Sequence, residues 1–266
     1  MVNFTEEDKI REIARANIED LFSTTIDNII EKAIEFKDEY PDEYLTSTHF
    51  AFRETLNETT GTGRGITGFS ELWYFLYIKK FLEKSLKIEF ESIKTHAPKG
   101  VHHHYEANCK RKGNKLILSS DISIESNFKL KISNKKIKPD IFIGIQKNDM
   151  EIIPVAIFEI KLHQKKPQDI EGVVDRFVEM KNTLNANNTD LPFFIFLYLQ
   201  HSLYESEIEK KQNEFNIQLE RFKNLFGERM LMINRILKWD KEGYKNEIEG
   251  SIYRIMNKII SVIKNI

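Results

Sequence analysis

Apolar residues recur at helical spacing through the first forty positions, with Ile10, Ile13, Ile18, Leu21, Ile26, Ile29 and Ile30 among them. They predict one long helix or two shorter ones over Glu6 to Phe36. The period is lost from Glu43 to Gly68, a segment that ends in GTGRGITG and reads as a loop. Ser70 to Leu86 is apolar around most of a helical circumference and predicts a buried helix. Short alternating runs follow at Leu86 to Phe90, Lys115 to Ser119, Ile122 to Ile124 and Phe128 to Ile132, with Thr95 to Lys115 between them as a loop. Two longer runs, Ile141 to Ile145 and Ile152 to Ile160, are joined by the polar turn Gln146 to Asp149 and predict a buried β-hairpin. Pro167 opens a helix over Gln168 to Leu184, and the unbroken run Pro192 to Leu199 is a strand buried on both faces. Glu205 to Phe226 reads as a helix, Met230 to Ile233 as a strand and Asn246 to Ile263 as a final helix. The order predicts an α/β fold: a mixed central sheet flanked by helices, with an extra N-terminal helical segment. It is read as one domain, with 1–68 an N-terminal helical region and loop, 69–200 the core and 201–266 the C-terminal helices and strand.

Three charges interrupt the hairpin. Asp140 stands at the mouth of its first strand, and Glu159 and Lys161 sit two apart near the end of its second. Side chains alternate across a strand, so Glu159 and Lys161 share a face while Ile160 points the other way. Charges in a core strand are costly unless they are paired or bind metal. Two carboxylates and an ammonium gathered at one place therefore suit either an ion-pair cluster that holds two strands in register or a divalent metal site. Phosphodiester hydrolysis would use that second arrangement, because Mg²⁺ takes one or two carboxylates plus waters, and a lysine beside it offers charge to the transition state.

Composition changes this picture little. With 41% hydrophobic and 30% charged residues and a net charge of -1, the chain is not a generic polyanion binder. The average conceals an asymmetry: Lys94 to Lys138 carries 11 Lys or Arg against 3 acidic residues, a local excess of +8 that leaves -9 for the rest. That segment leads into Asp140 and is either a solvated basic face or a bed for a nucleic-acid backbone. The single cysteine, Cys109, excludes an internal disulfide. With no apolar signal core and no span of membrane length, a soluble, reducing, cytoplasmic setting is expected.

Two other motifs carry less. Gly63 to Gly68 fits G-x-G-x-x-G, but no apolar strand precedes it; a flexible connector, or a loop offering backbone amides and Arg64 to a phosphate, is the reading kept. His102, His103 and His104, with Cys109 nearby, lack a second Cys/His pair at finger-like spacing and read as part of an exposed loop or one near nucleic acid.

Pro139-Asp140, followed after 18 residues by Glu159-Ile160-Lys161, resembles the signature of the PD-(D/E)XK nuclease superfamily. The order of elements from Ser70 to Leu199 is similar to its αβββαβ core. The resemblance implies a Mg²⁺-dependent phosphodiesterase acting on DNA. Asp140 and Glu159 would bind the ion, the Ile160 carbonyl would complete its shell, and Lys161 would orient or activate the attacking water and neutralise developing charge. Glu71, in the first turn of the buried helix, is the candidate for the additional glutamate that many members use. Position 172, four beyond Gln168, is glycine, so the Gln-x-x-x-Tyr element of exonuclease-like branches is absent. A stand-alone chain of this size is most similar to a type II restriction endonuclease, which implies a homodimer on double-stranded DNA. The alternatives are a repair, recombination or other defence nuclease of the same fold, or a DNA-binding protein that no longer cleaves. Arg64, His103, Lys112, Lys165 and Lys166, in loops flanking the expected site, are the candidate DNA contacts.

Overall fold

The computed structural model describes residues 24–32, 34–35, 69–93, 104–109, 113–120, 139–147, 151–162, 168–186, 192–201, 205–237 and 252–266. The chain divides into two compact units, Met1–Phe81 and Leu82–Ile266. Sequence reading drew its first internal boundary at 68/69, whereas compactness draws one inside the second described helix.

In the first unit, residues 24–32 form helix α1, and Phe69–Leu86 begins helix α2. The expected N-terminal helix is seen in this part; its stretch from Glu6 lies outside the described residues. Ile26, Ile29 and Ile30 are buried as their spacing requires. So are Trp73, Tyr74, Phe75, Tyr77 and Ile78, five of six consecutive positions with at most 1% exposure, which is why α2 shows no polar face there. Lys80 donates to Asp27 at 2.5 Å and ties α2 to α1.

The second unit is an α/β sheet. Among the described residues it has seven strands in chain order: β1 Glu91–Ser92, β2 His104–Asn108, β3 Asn114–Ser120, β4 Ile141–Lys147, β5 Glu151–Leu162, β6 Phe193–His201 and β7 Met230–Leu237. Six are five residues or longer, and β1 is a two-residue pairing. Strands β1 to β5 form an antiparallel meander, and β5, β6 and β7 run parallel. Each parallel step needs a crossover, supplied by helices α3 Gln168–Ala186 and α4 Glu205–Phe226. Helix α5 Ile252–Asn265 closes the chain.

Two details depart from the sequence reading. The run Leu86 to Phe90 is not a strand: α2 continues to Leu86, Lys87 takes a left-handed φ of 55°, and Ile88 N–H bonds back to the Glu83 carbonyl. This is a Schellman-type helix end, so β1 starts only at Glu91. The segment Thr95 to Lys115, read as a loop, contains β2, paired residue for residue with β3 from His104↔Ser119 to Asn108↔Lys115. The runs 122–124 and 128–132 and the hairpin tip 148–149 lie outside the described residues.

Helices α3 and α4 cover one face of the sheet. Val173, Val174, Phe177, Met180 and Leu184 of α3 meet Leu219, Phe222 and Phe226 of α4 over Phe142, Ile157, Phe194 and Phe196 of the strands. Each of these fully buried side chains contributes about 2 kcal/mol of transfer free energy. The rings of Phe177 and Phe222 stack at 5.5 Å. Arg221 pairs with Asp175 at 2.5 Å, and Lys181 donates to the Leu225 carbonyl, so polar links frame the apolar contact between the helices. Helix α5 contacts β5 through a separate stripe, Ile252, Ile255, Met256, Ile259, Ile260 and Ile263, all buried at i, i+3, i+4 spacing. Among the described residues no helix is long and apolar enough to cross a membrane.

The β4–β5 pairing is not uniform. Ile143 faces Ala156, but Gly144 faces Pro154, so Val155 is an extra residue on β5, a β-bulge. The bulge reverses the alternation. Ile152 and Ile157 have opposite parity, yet both pack against the cluster beneath α3 and α4. Gly144 sits at this shift, where a Cβ would lie 2.6 Å from Cε1 of the Phe142 ring.

Candidate functional site

The second unit brings Asp140, Glu159 and Lys161 together, and the bulge determines on which face. Phe142 pairs with Ile157 and both belong to the α3-side cluster. Two residues on, Asp140 on one strand and Glu159 on the other keep that face, and Lys161 follows. Pairing between the strands stops at Ile141↔Phe158. Beyond it, the Asp140 carboxylate takes over as partner: Ile160 N–H donates to Asp140 Oδ2 at 2.6 Å. In a strand a residue's N–H and C=O leave on the same side, so the Ile160 carbonyl also faces the Asp140 side.

Lys161 Nζ lies 3.2 Å from Glu159 Oε2 and 3.5 Å from Asp140 Oδ2. Sharing one ammonium, the two carboxylate oxygens are within about 7 Å of one another, inside the reach of a single hydrated divalent ion. Burial works against the Lys161 ammonium, but the charges of Asp140 and Glu159 and the hydrogen bond to Glu159 outweigh both that and the repulsion of Arg176. Its pKa therefore stands above the ordinary lysine value, and the side chain is a cation at neutral pH. It can donate a hydrogen bond and stabilise negative charge; it is not poised to accept a proton.

Sequence reasoning missed Arg176. Its Nη2 donates to the same Glu159 Oε2 at 2.8 Å, so one oxygen of a carboxylate 2% exposed carries two cations. The signal was present. Arg176 sits three residues after Val173 and four before Met180, a charge beside the apolar stripe of α3. No hydrogen bond falls on Glu159 Oε1 among the described residues.

A divalent ion fits this donor set only as Mg²⁺-like chemistry would have it. The available ligands are two hard carboxylates and a carbonyl, and among the described residues no group of three or more His, Cys, Asp or Glu side chains could hold a metal. An ion that keeps most of its waters is satisfied by such a site; one that requires a full protein cage is not.

Of the other candidates, Glu71 stands in the first turn of α2, where it complements the helix dipole, and belongs to the first unit. Arg64, His103, Lys112, Lys165 and Lys166 lie outside the described residues. His104 opens β2. Cys109 follows β2 and its N–H bonds to the Asn114 carbonyl; burial pushes its thiol pKa up, away from metal-ligand or nucleophile behaviour. No family model, no curated protein and no solved structure matches the chain.

Proposed function

We propose that the chain is a Mg²⁺-dependent DNA endonuclease of the PD-(D/E)XK kind, acting as a sequence-specific restriction enzyme on double-stranded DNA, as a homodimer. The observation that carries this reading is the convergence of Asp140, Glu159 and Lys161 at the point where β4 and β5 stop pairing. The order α2, then the antiparallel meander β1 to β5, then α3 and the parallel strand β6 supports it, since it contains the elements of the αβββαβ sequence with β1 and β2 added to the meander. The near-zero net charge supports a specific enzyme over one that adheres to any polyanion.

Asp140 and Glu159 would hold the ion, with the Ile160 carbonyl beside them. When bound, it polarises a phosphoryl oxygen and lowers the pKa of a water. Lys161, kept protonated, donates to that water or to the phosphoryl oxygens and offsets charge that grows toward the transition state. Asp140 has a second task, since its acceptance of the Ile160 N–H fixes the end of β5 against β4.

One observation favours a second reading. Two carboxylates and two cations balance without a metal, as in an ion-pair cluster that only fastens strands and helix together. Incubation of supercoiled plasmid with Mg²⁺ separates the readings. Wild type should give discrete fragments and Asp140→Ala none; nicking or a smear would replace restriction by a less specific nuclease. Equal behaviour of the two proteins, with or without Mg²⁺, would remove the enzymatic reading.

A further inference from the structure

Among the charges of the cluster, Arg176 is the one whose bonding is incomplete. Lys161 is divided between two carboxylates, whereas Arg176 uses only Nη2, on Glu159, and makes no other hydrogen bond or ion pair among the described residues. A guanidinium has five N–H donors in a planar fork that matches phosphate oxygens. Burial points the same way. The Arg176 side chain is 40% exposed and its partner Glu159 2%, so the guanidinium reaches from solvent to a buried oxygen.

Charge balance supplies the second argument. Asp140, Glu159, Lys161 and Arg176 sum to zero as they stand. A divalent ion on the two carboxylates would leave the four side chains and the ion with a surplus of two positive charges. Among the described residues no third Asp, Glu, His or Cys completes a metal-holding group with those two carboxylates. A phosphodiester carries one negative charge and approaches two as a nucleophile adds, which matches the surplus. The cation best able to change partner is the more exposed one with donors to spare.

We propose that Arg176 is the phosphate-binding cation of this site, resting on Glu159 in the metal-free protein and turning to the DNA backbone once a divalent ion engages that carboxylate; the proposal rests on the nuclease reading above. DNA affinity, measured with Ca²⁺ in place of Mg²⁺, tests it without a turnover readout. A fluorescein-labelled duplex spanning a cleavage site mapped in the plasmid digest is titrated by anisotropy over a salt series, in Ca²⁺ and in EDTA, with wild type, Arg176→Ala and Arg176→Lys. Calcium binding to each free protein is measured by calorimetry. In Ca²⁺, Arg176→Ala should bind about tenfold more weakly, and its salt slope should be shallower by about 0.9. In EDTA its affinity should equal that of wild type, its calcium affinity should be unchanged or higher, and Arg176→Lys should recover the slope. A wild-type salt slope for Arg176→Ala in Ca²⁺ overturns the proposal. So does a tenfold loss of its calcium affinity, which would make Arg176 a positioning residue for Glu159. If Ca²⁺ gives wild type itself no gain in DNA affinity, the nuclease reading falls and takes this proposal with it; if the gain is present and only the slope is unaltered, Arg176 alone is refuted.

Discussion

Glu159 Oε2 accepts from both Lys161 and Arg176, at 3.2 Å and 2.8 Å, and this redundancy makes a quantitative prediction about the metal-free protein. Replacing Lys161 by Met leaves the buried carboxylate with Arg176; replacing Arg176 by Met leaves it with Lys161. Each cation is partly exposed, 24% and 40%, and regains water on release, so each single substitution should cost only about 1 kcal/mol. The double variant differs in kind. It leaves a carboxylate 2% exposed with no counter-charge on that oxygen, a condition that costs about 3–5 kcal/mol. The two substitutions should thus be super-additive, with a coupling of about 1–3 kcal/mol. Urea denaturation in EDTA at neutral pH, on the four proteins of the cycle, measures it. Adding Glu159→Gln to the double variant should restore about 2 kcal/mol, because the buried charge is then gone. Additivity within about 0.5 kcal/mol would show that Glu159 is not held as a shared acceptor, and the reasoning about the cluster would fail.

Three further outcomes are expected. Gly144→Ala places a Cβ 2.6 Å from the Phe142 ring, in a layer that is fully packed, and should lower stability by about 1–3 kcal/mol in the same denaturation assay; a neutral result would mean that the bulge tolerates a side chain. Lys87→Gly relieves a left-handed residue at the end of α2 and should raise stability by about 0.5–1 kcal/mol; a loss would show that the Lys87 side chain contributes more than its backbone costs. Cys109 has a folded pKa raised by burial above its ordinary value near 9.0, so protonation stabilises the fold. That contribution is present below the unfolded pKa and is lost as pH rises through the folded one. Iodoacetamide should accordingly label Cys109 in the native protein only at higher pH than in urea, and identical pH profiles would contradict the assignment.

The hairpin was legible because two β-rich apolar runs flank a polar turn, and its charges were legible because nothing apolar explains them. Strand β2 was not. HYEAN has no alternation to read, and of its five residues only Ala107 is known to be buried, so its conformation is set by pairing with β3 instead of by its own pattern. Arg176 was not legible because helical periodicity marks only the apolar positions, and its charge lies beside that stripe, reaching Glu159 through a pairing that spans 17 residues. Simple alternation did place Glu159 and Lys161 on one face, but which face could not be counted from the turn. A clue stood in Pro154, since proline inside a paired strand is confined largely to edges and bulges.

That bulge gives β5 two reading frames joined at Val155. In the frame nearer the tip, even-numbered positions look toward α3; past Val155, odd-numbered ones do. The site is therefore counted from the bulge and from β6, not from the tip. The bulge thus separates the frame that carries Glu159 and Lys161 from the one nearer the turn. Deleting Val155 alone would restore a single frame and force a choice: either Ile152 leaves the α3 layer, or Glu159 and Lys161 are turned away from Asp140. Because β5 past the bulge is held in register by β6, the first outcome is expected: Ile152 leaves the α3 layer while Asp140, Glu159 and Lys161 stay together.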